Sequence, residues 1–570
     1  MEKELIDFIE KNELKPFLKT KTEVNLPPNA LYKTRDAKLI HSKALQVISK
    51  NFVFKDTSNL LDFFDTFPNE TEIIKKQNFF RQLVPTSNEF LSKLKPPKPF
   101  WNPEYGIVVV TEDNDIFQSL AKLGCNVKFI VDETDLSDLE RYDIVQVLEC
   151  ETYRLALERL PQSVFLRSPE EACLERHVRT LSGWKENLEI LQQTSCPELS
   201  SLTCELSSLK YLFDKSETKK LTREQAEEKL EQIKSEVARK VKEQNISGEI
   251  LLQVINKGIL PFELKQIVKQ SIAESGLPEN IFLQQIPVQL DEKELEKELR
   301  NQELNKYANT AREIKRNSKL LTQIPSKLRK LEIQLLLFDF KSTLANWMKD
   351  KNFPTVSRTL SLEESTNEFL DNPDPITFYL NEQNRCSMLT GANSGGKTTL
   401  LEHIIQYLTY AYLGLPVKGK FSTPIFTELY YFAKNKGSAS KGAFETLLTQ
   451  LSKISPGNST LILADEIEAV TEPGVAGKII AASAKYFIEK GSYIVFATHL
   501  GNEIQKILPE KSRIDGIEAK GIDEFNELIV DHNPIMGKLA SSTPELIVEK
   551  MARNSNIEYL KFLNESLKNK

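Results

Sequence analysis

The 570-residue chain lacks the features of a metal-clustered, disulfide-bonded or membrane-spanning protein. Its six cysteines, at 125, 150, 173, 196, 204 and 386, form no C-x-x-C pair and no regular spacing. With only five scattered histidines, they argue against a zinc site and a disulfide framework, and they fit a reducing, cytoplasmic compartment. No run approaches the roughly 18 apolar residues a membrane helix needs. The start, Met1-Glu-Lys-Glu-Leu-Ile-Asp7, has no signal-peptide profile. An excess of positive charge is missing too. Lys and Arg number 75 against 81 Asp and Glu, a net charge of −6, so any nucleic-acid surface has to be local. What remains, 40% hydrophobic and 27% charged residues, is ordinary for a globular protein, and the length allows about three to five domains.

Against that background one segment stands out. Gly391, Ala392, Asn393, Ser394, Gly395, Gly396, Lys397 and Thr398 form a complete G-x-x-x-x-G-K-[ST] phosphate loop. Glycines let the backbone fold tightly around a polyphosphate, so that successive N–H groups point at its oxygens. Lys397 is expected to reach the outer phosphates and the Thr398 hydroxyl to hold Mg²⁺, with Thr399 next in the ATP-binding set. Arg385–Leu389 reads as a short buried strand before the loop, and Leu400–Leu408 as a helix after it. Downstream, the apolar run Leu461–Ala464 ends in Asp465-Glu466, and Tyr493–Ala497 ends in Thr498-His499. An acidic pair at the carboxyl end of a buried strand is where a nucleotide-binding sheet places its Mg²⁺ carboxylate and its water-activating base. The chain reads as a nucleotide hydrolase.

The order and wording of these motifs resemble the MutS family of ABC-type ATPases. The family loop TGPN-x-GGK-[ST] has its counterpart in Thr390–Thr398, DE-x-x-x-x-TDP in Asp465–Pro473, and ATH in Ala497-Thr-His499. Gly414-Leu-Pro-Val417 and Pro424-Ile-Phe426 resemble the second, MutS-two-type subfamily. The resemblance implies Asp465 as the Mg²⁺ carboxylate, Glu466 as the general base and His499 as the switch histidine. The family's signature segment ends in Ser-Thr-Phe; here Ser438-Ala-Ser-Lys-Gly-Ala-Phe444 puts Gly442 at the serine position, with Ser440 or helix N-terminal amides as the expected substitutes. Glu468 and Val470 replace small residues after the acidic pair.

The fold expected is an α/β P-loop ATPase domain at the C-terminal end (371–545, then a helical tail at 546–570), joined to a largely helical body. Residues 1–98 read as helical, up to the proline cluster Lys95-Pro-Pro-Lys-Pro99. Residues 101–168 alternate strands and helices as a small inserted α/β module without a glycine-rich fingerprint. Residues 170–370 read as a helical core with an antiparallel lever and clamp arm over about 216–330. Thr222-Arg-Glu-Gln225 has capping-box form, and Ala226, Leu230, Ile233, Val237 and Val241 follow at three- and four-residue steps. Phe8-Ile9-Glu10 matches the family's mismatch-reading wedge by coincidence only, and no nuclease domain is expected after the ATPase.

Between Leu304 and Lys330, eight basic residues face one acid; Lys306, Arg312, Lys315, Arg316 and Lys319 are the candidate phosphate contacts. With one aromatic, Tyr307, the stretch is no base-stacking platform. The expectation is a dimeric, non-sequence-specific ATPase clamp on duplex or branched DNA. The alternatives are an ATPase that remodels a ribosome or RNA complex, and a structural ATPase of the chromosome-scaffold kind.

Overall fold

The structure is a computed structural model that describes residues 1–25, 29–97, 107–122, 125–142, 144–194, 197–209, 221–243, 260–299, 301–302, 316–391, 395–434, 448–466, 473–522, 528–540, 548–549, 551–553 and 557–568. The fold is mixed α/β, with parallel sheets and many helices. Two compact units divide it: Met1–Leu94 with Leu331–Lys570, and Lys95–Lys330.

In the first unit, helix α1 (Arg35–Ser49) begins where Thr34 Oγ1 accepts the Ala37 N–H. It buries Ala37, Ile40, Ala44 and Ile48, one face at helical spacing. Upstream, Phe8 meets Phe63 edge-on at 5.6 Å, so the Phe-x-Glu letters belong to local packing.

The second unit carries four parallel strands, β1 (Ile107–Thr111), β2 (Val127–Phe129), β3 (Ile144–Leu148) and β4 (Ser163–Phe165), in the order β2-β1-β3-β4. Helix α2 (Arg223–Glu243) opens with the reciprocal cap its sequence specifies: Gln225 N–H donates to Thr222 Oγ1 at 3.2 Å, and Thr222 N–H to Gln225 Oε1 at 3.4 Å. Its apolar stripe, Ala226, Ile233 and Val237, is covered by Val268 and Ile272 of helix α3 (Phe262–Glu274) and by Ile281, Phe282, Val288 and Leu295. Residues 264–295 therefore pack along this helix.

Helix α4 (Ile324–Trp347) carries a buried acid, Asp339. Its carboxylate accepts from the Val53 and Phe54 N–H groups (3.1 and 3.0 Å) and from the hydroxyls of Thr57 and Thr343 (2.7 and 3.2 Å). Burial still pushes the carboxyl above the usual carboxylate range against these donors. Asp339→Ala strands two backbone donors, which at 1–3 kcal/mol each costs roughly 2–6 kcal/mol. The urea midpoint should fall accordingly, and an unchanged midpoint contradicts this role.

The C-terminal part of the first unit holds a six-stranded sheet made of β5 (Cys386–Gly391), β6 (Glu428–Phe432), β7 (Thr460–Asp465), β8 (Tyr493–Ala497), β9 (Ser512–Ile517) and β10 (Ile535–Met536). The order is β6-β7-β8-β5-β9-β10, parallel except for the last pair. Strands β7 and β8 are buried at every residue, which is why they read as unbroken apolar runs. One face, Cys386, Met388, Ile462, Ala464, Ile494 and Phe496, packs on Ala476, Ile480, Ala484 and Phe487 of helix α6 (Pro473–Glu489). Helix α5 (Lys397–Leu413) contacts β5, β7 and β8 and is buried nearly all round. Helix α1 and the segment before it seal its outer side, through Tyr410 OH donating to Ala44 O (3.3 Å) and through the Tyr32 OH and Thr409 Oγ1 pair (2.8 Å). Under the loop, Asp515 ties β5 to β9, accepting from Ser387 Oγ (2.6 Å), Arg513 Nε (2.8 Å) and Gly537 N (2.9 Å).

Candidate nucleotide site

The carboxyl ends of β5, β7 and β8 meet at one edge of the sheet, because Leu389 pairs with Ala497 and Asp465 with Ala497 in parallel register. A parallel sheet presents ligand groups at that edge. Strand β5 ends in Gly391 at φ +134, where a Cβ would stand 2.3 Å from Ile517 O. Gly396, at φ +90, caps the N-terminus of α5, and His532 Nδ1 donates to Gly395 O at 3.2 Å. Both glycines occupy left-handed backbone that side chains rarely adopt. The first amides of the 17-residue helix α5 point out of this turn, an arrangement suited to an anion. Ala392, Asn393 and Ser394 lie outside the described residues.

Lys397 is buried, 3% exposed, and donates to Gly391 O at 2.6 Å, folding its stem back across the loop. Thr398 Oγ1 donates to Asp465 Oδ2 at 2.5 Å, and Thr399 O accepts from Asn367 Nδ2 at 3.2 Å. Asp465 is 2% exposed, and its Oδ1 has no hydrogen-bond partner among the described residues. Burial pushes this carboxyl above the usual range, although Thr398 and Lys397 favour the charged form. A buried carboxylate with an oxygen to spare, beside a hydroxyl, is a donor set of hard oxygens that fits Mg²⁺.

Glu466 follows at φ +46, with its N–H bonded to Ala497 O at 2.9 Å. His499 Nε2 donates to its Oε1 at 3.0 Å, and Lys434 Nζ pairs with Oε2. Burial favours the neutral acid, but the bonds from Lys434 and His499 outweigh it and hold the carboxyl below its usual range. Glu466 is therefore a charged acceptor, fixed at the rim of the loop. Thr498 anchors the turn beneath His499: its N–H donates to Leu389 O (2.9 Å), and its Oγ1 accepts from Leu500 N (3.0 Å).

The structure thus brings Gly391, Gly395, Gly396, Lys397, Thr398, Thr399, Asp465, Glu466 and His499 to one edge of the sheet. Ser440 and Gly442 lie outside the described residues, as do Lys306, Arg312 and Lys315. Arg316 and Lys319 are exposed residues of the other compact unit, whereas Lys327 pairs with Glu205 at 2.9 Å. Sequence reasoning missed Lys434, Asn367 and His532. Lys434 sits in a polar run that reads as a solvated loop; only the register of β6 on β7, Phe432 opposite Ala464, carries it to Glu466. Among the described residues no helix is long and apolar enough to cross a membrane.

No protein-family model matches the chain. It is 27% identical over 581 aligned positions, 94% of this chain and 98% of the relative, to a protein of Pyrococcus furiosus named DNA-binding protein MutS2. An Endonuclease MutS2 of Solidesulfovibrio magneticus is 31% identical over 121 residues, 20% of this chain and 16% of that protein. A DNA mismatch repair protein MutS of Thermotoga neapolitana is 24% identical over 215 residues, 36% of this chain and 26% of that one. The chain is thus similar nearly end to end to that MutS2 protein, and its loop, its acidic pair and Ala497-Thr-His499 carry the wording of the MutS family.

Proposed function

We propose that the chain is a DNA-binding ATPase that hydrolyses ATP at the edge of the six-stranded sheet. The observation that carries the reading is the meeting of Lys397, Thr398, Asp465 and the charged, doubly held Glu466 around one glycine turn. Lys397 sets a cation over the outer phosphates, and the amides at the start of α5 take up their oxygens. Thr398 and Asp465 hold Mg²⁺, which when bound neutralises charge on the transferred phosphoryl group. Glu466 orients the attacking water, and His499 fixes the carboxylate that does so. Phosphate release from ATP by the purified protein, and its loss in the loop and Glu466 variants, tests this reading.

DNA is the proposed partner because the relative matched over nearly its full length is named as DNA-binding. Two subunits are proposed to close over two ATP molecules, each offering the Ser440 and Gly442 segment to the other's site. The basic stretch around Arg316 and Lys319 is proposed to track phosphates. Changing Lys315, Arg316 and Lys319 together to Ala should flatten the log–log salt slope of duplex binding by up to about 2.7, at roughly 0.9 per contact. The affinity loss should be the same for unrelated sequences, because phosphate contacts carry no base information. Fluorescence-anisotropy titrations at several salt concentrations check this, and an unchanged slope removes these residues from the phosphate contacts. Parallel titrations with RNA and ribosomes decide whether DNA is the preferred ligand.

A further inference from the structure

The two oxygens of Glu466 are held by different partners. His499 comes from the end of β8, and Lys434 enters from the other side, two residues beyond the end of β6. The two ends of this ion pair differ in exposure. Glu466 is 11% exposed and pinned through its own backbone N–H, whereas Lys434 is 47% exposed at the end of a flexible four-carbon stem.

We propose that Lys434 is a further catalytic residue: its ammonium rests on Glu466 before nucleotide binds and moves onto an outer phosphate oxygen of bound ATP. This rests on the ATPase reading above. If Glu466 orients the water, the water lies within about 3 Å of its carboxylate, and the γ-phosphorus about 3–3.5 Å beyond. An ammonium already touching that carboxylate reaches the phosphate by side-chain rotation alone. Charge sets the direction of the move. The outer phosphate carries more than one negative charge and Glu466 carries one, so an ammonium between them is drawn to the phosphate. The move also frees Oε2 to accept from water. In the reaction the water oxygen bonds to the γ-phosphorus and the bond to the bridging oxygen breaks. ADP leaves with that electron pair, the water's proton passes to Glu466, and Lys434 stabilises charge on the phosphoryl oxygens.

The test compares wild type, Lys434→Met and Lys434→Arg in the full chain, using Mg-ATP and Mg-ADP. Lys434→Met should keep its melting temperature without nucleotide, because the side chain is half exposed. Its kcat should fall by about 10²-fold, the cost of losing one donor to a developing oxyanion. Its Mg-ADP affinity should hold while its preference for Mg-ATP over Mg-ADP shrinks, and Lys434→Arg should restore part of both. Wild-type kcat and ATP preference in folded Lys434→Met overturn the proposal. A faster enzyme also overturns it, since the lysine would then only mask Glu466, and so does an equal loss of ATP and ADP binding, which marks a structural role. Glu466→Gln run alongside separates the two levels. If it is inactive while Lys434→Met is normal, only the lysine's role fails; if it too is normal, the ATPase reading fails.

Discussion

Lys397→Met should abolish measurable ATP turnover while leaving the fold in place. The lysine is 3% exposed, with its amine on Gly391 O. Methionine is therefore a cleaner probe than alanine, since it fills the stem's volume without leaving a cavity beside α5. What it removes is the cation aimed at the outer phosphates, and a single oxyanion-stabilising group of this kind is worth about 10²–10³ in rate. ATP affinity should fall as well, because Lys397 meets the ground-state phosphates as well as the transition state. Wild-type hydrolysis by a folded Lys397→Met protein, assayed by phosphate release and circular dichroism, removes the loop from the reaction.

Glu466→Gln separates binding from chemistry. The amide keeps the size of the side chain and an acceptor oxygen for Lys434 or His499, but it cannot take a proton. Gly391, Gly396, Lys397 and the Thr398–Asp465 pair are untouched, so Mg-ATP should bind with close to wild-type affinity. Hydrolysis should slow by at least about 10²-fold, the low end for losing a general base. Closed dimers accumulating in ATP, seen by light scattering, support the two-site clamp. Unchanged turnover takes Glu466 out of the active site.

The parts of this site legible in the sequence are those a short contiguous pattern can carry. The loop glycines announce themselves because only glycine fits φ +134 at 391, where a Cβ would stand 2.3 Å from Ile517 O. The buried parallel strands announce themselves because both faces are covered, leaving β7 and β8 as unbroken apolar runs that stop at Asp465 and Ala497. The Thr222 and Gln225 cap is equally local, and both of its reciprocal bonds form. What stayed hidden depends on pairing between distant segments. Lys434 reaches Glu466 only through the β6–β7 register, and no periodicity encodes which strand lies beside which. Asp339 follows an apolar stretch of α4, whereas its partners at Val53, Phe54 and Thr57 are nearly three hundred residues upstream. The packing of residues 264–295 along α2 is hidden for the same reason: an apolar stripe shows that a helix is covered, not by what.

Single-turnover hydrolysis with the wild-type protein in excess over radiolabelled ATP reads the chemical step at this site alone, because every nucleotide is then bound. Bound ATP should be converted to ADP and phosphate when Mg²⁺ is present, and should stay intact in the same mixture made with Glu466→Gln. Bound ATP that remains intact on the wild-type protein, or that is cleaved equally fast by Glu466→Gln, contradicts the proposed function.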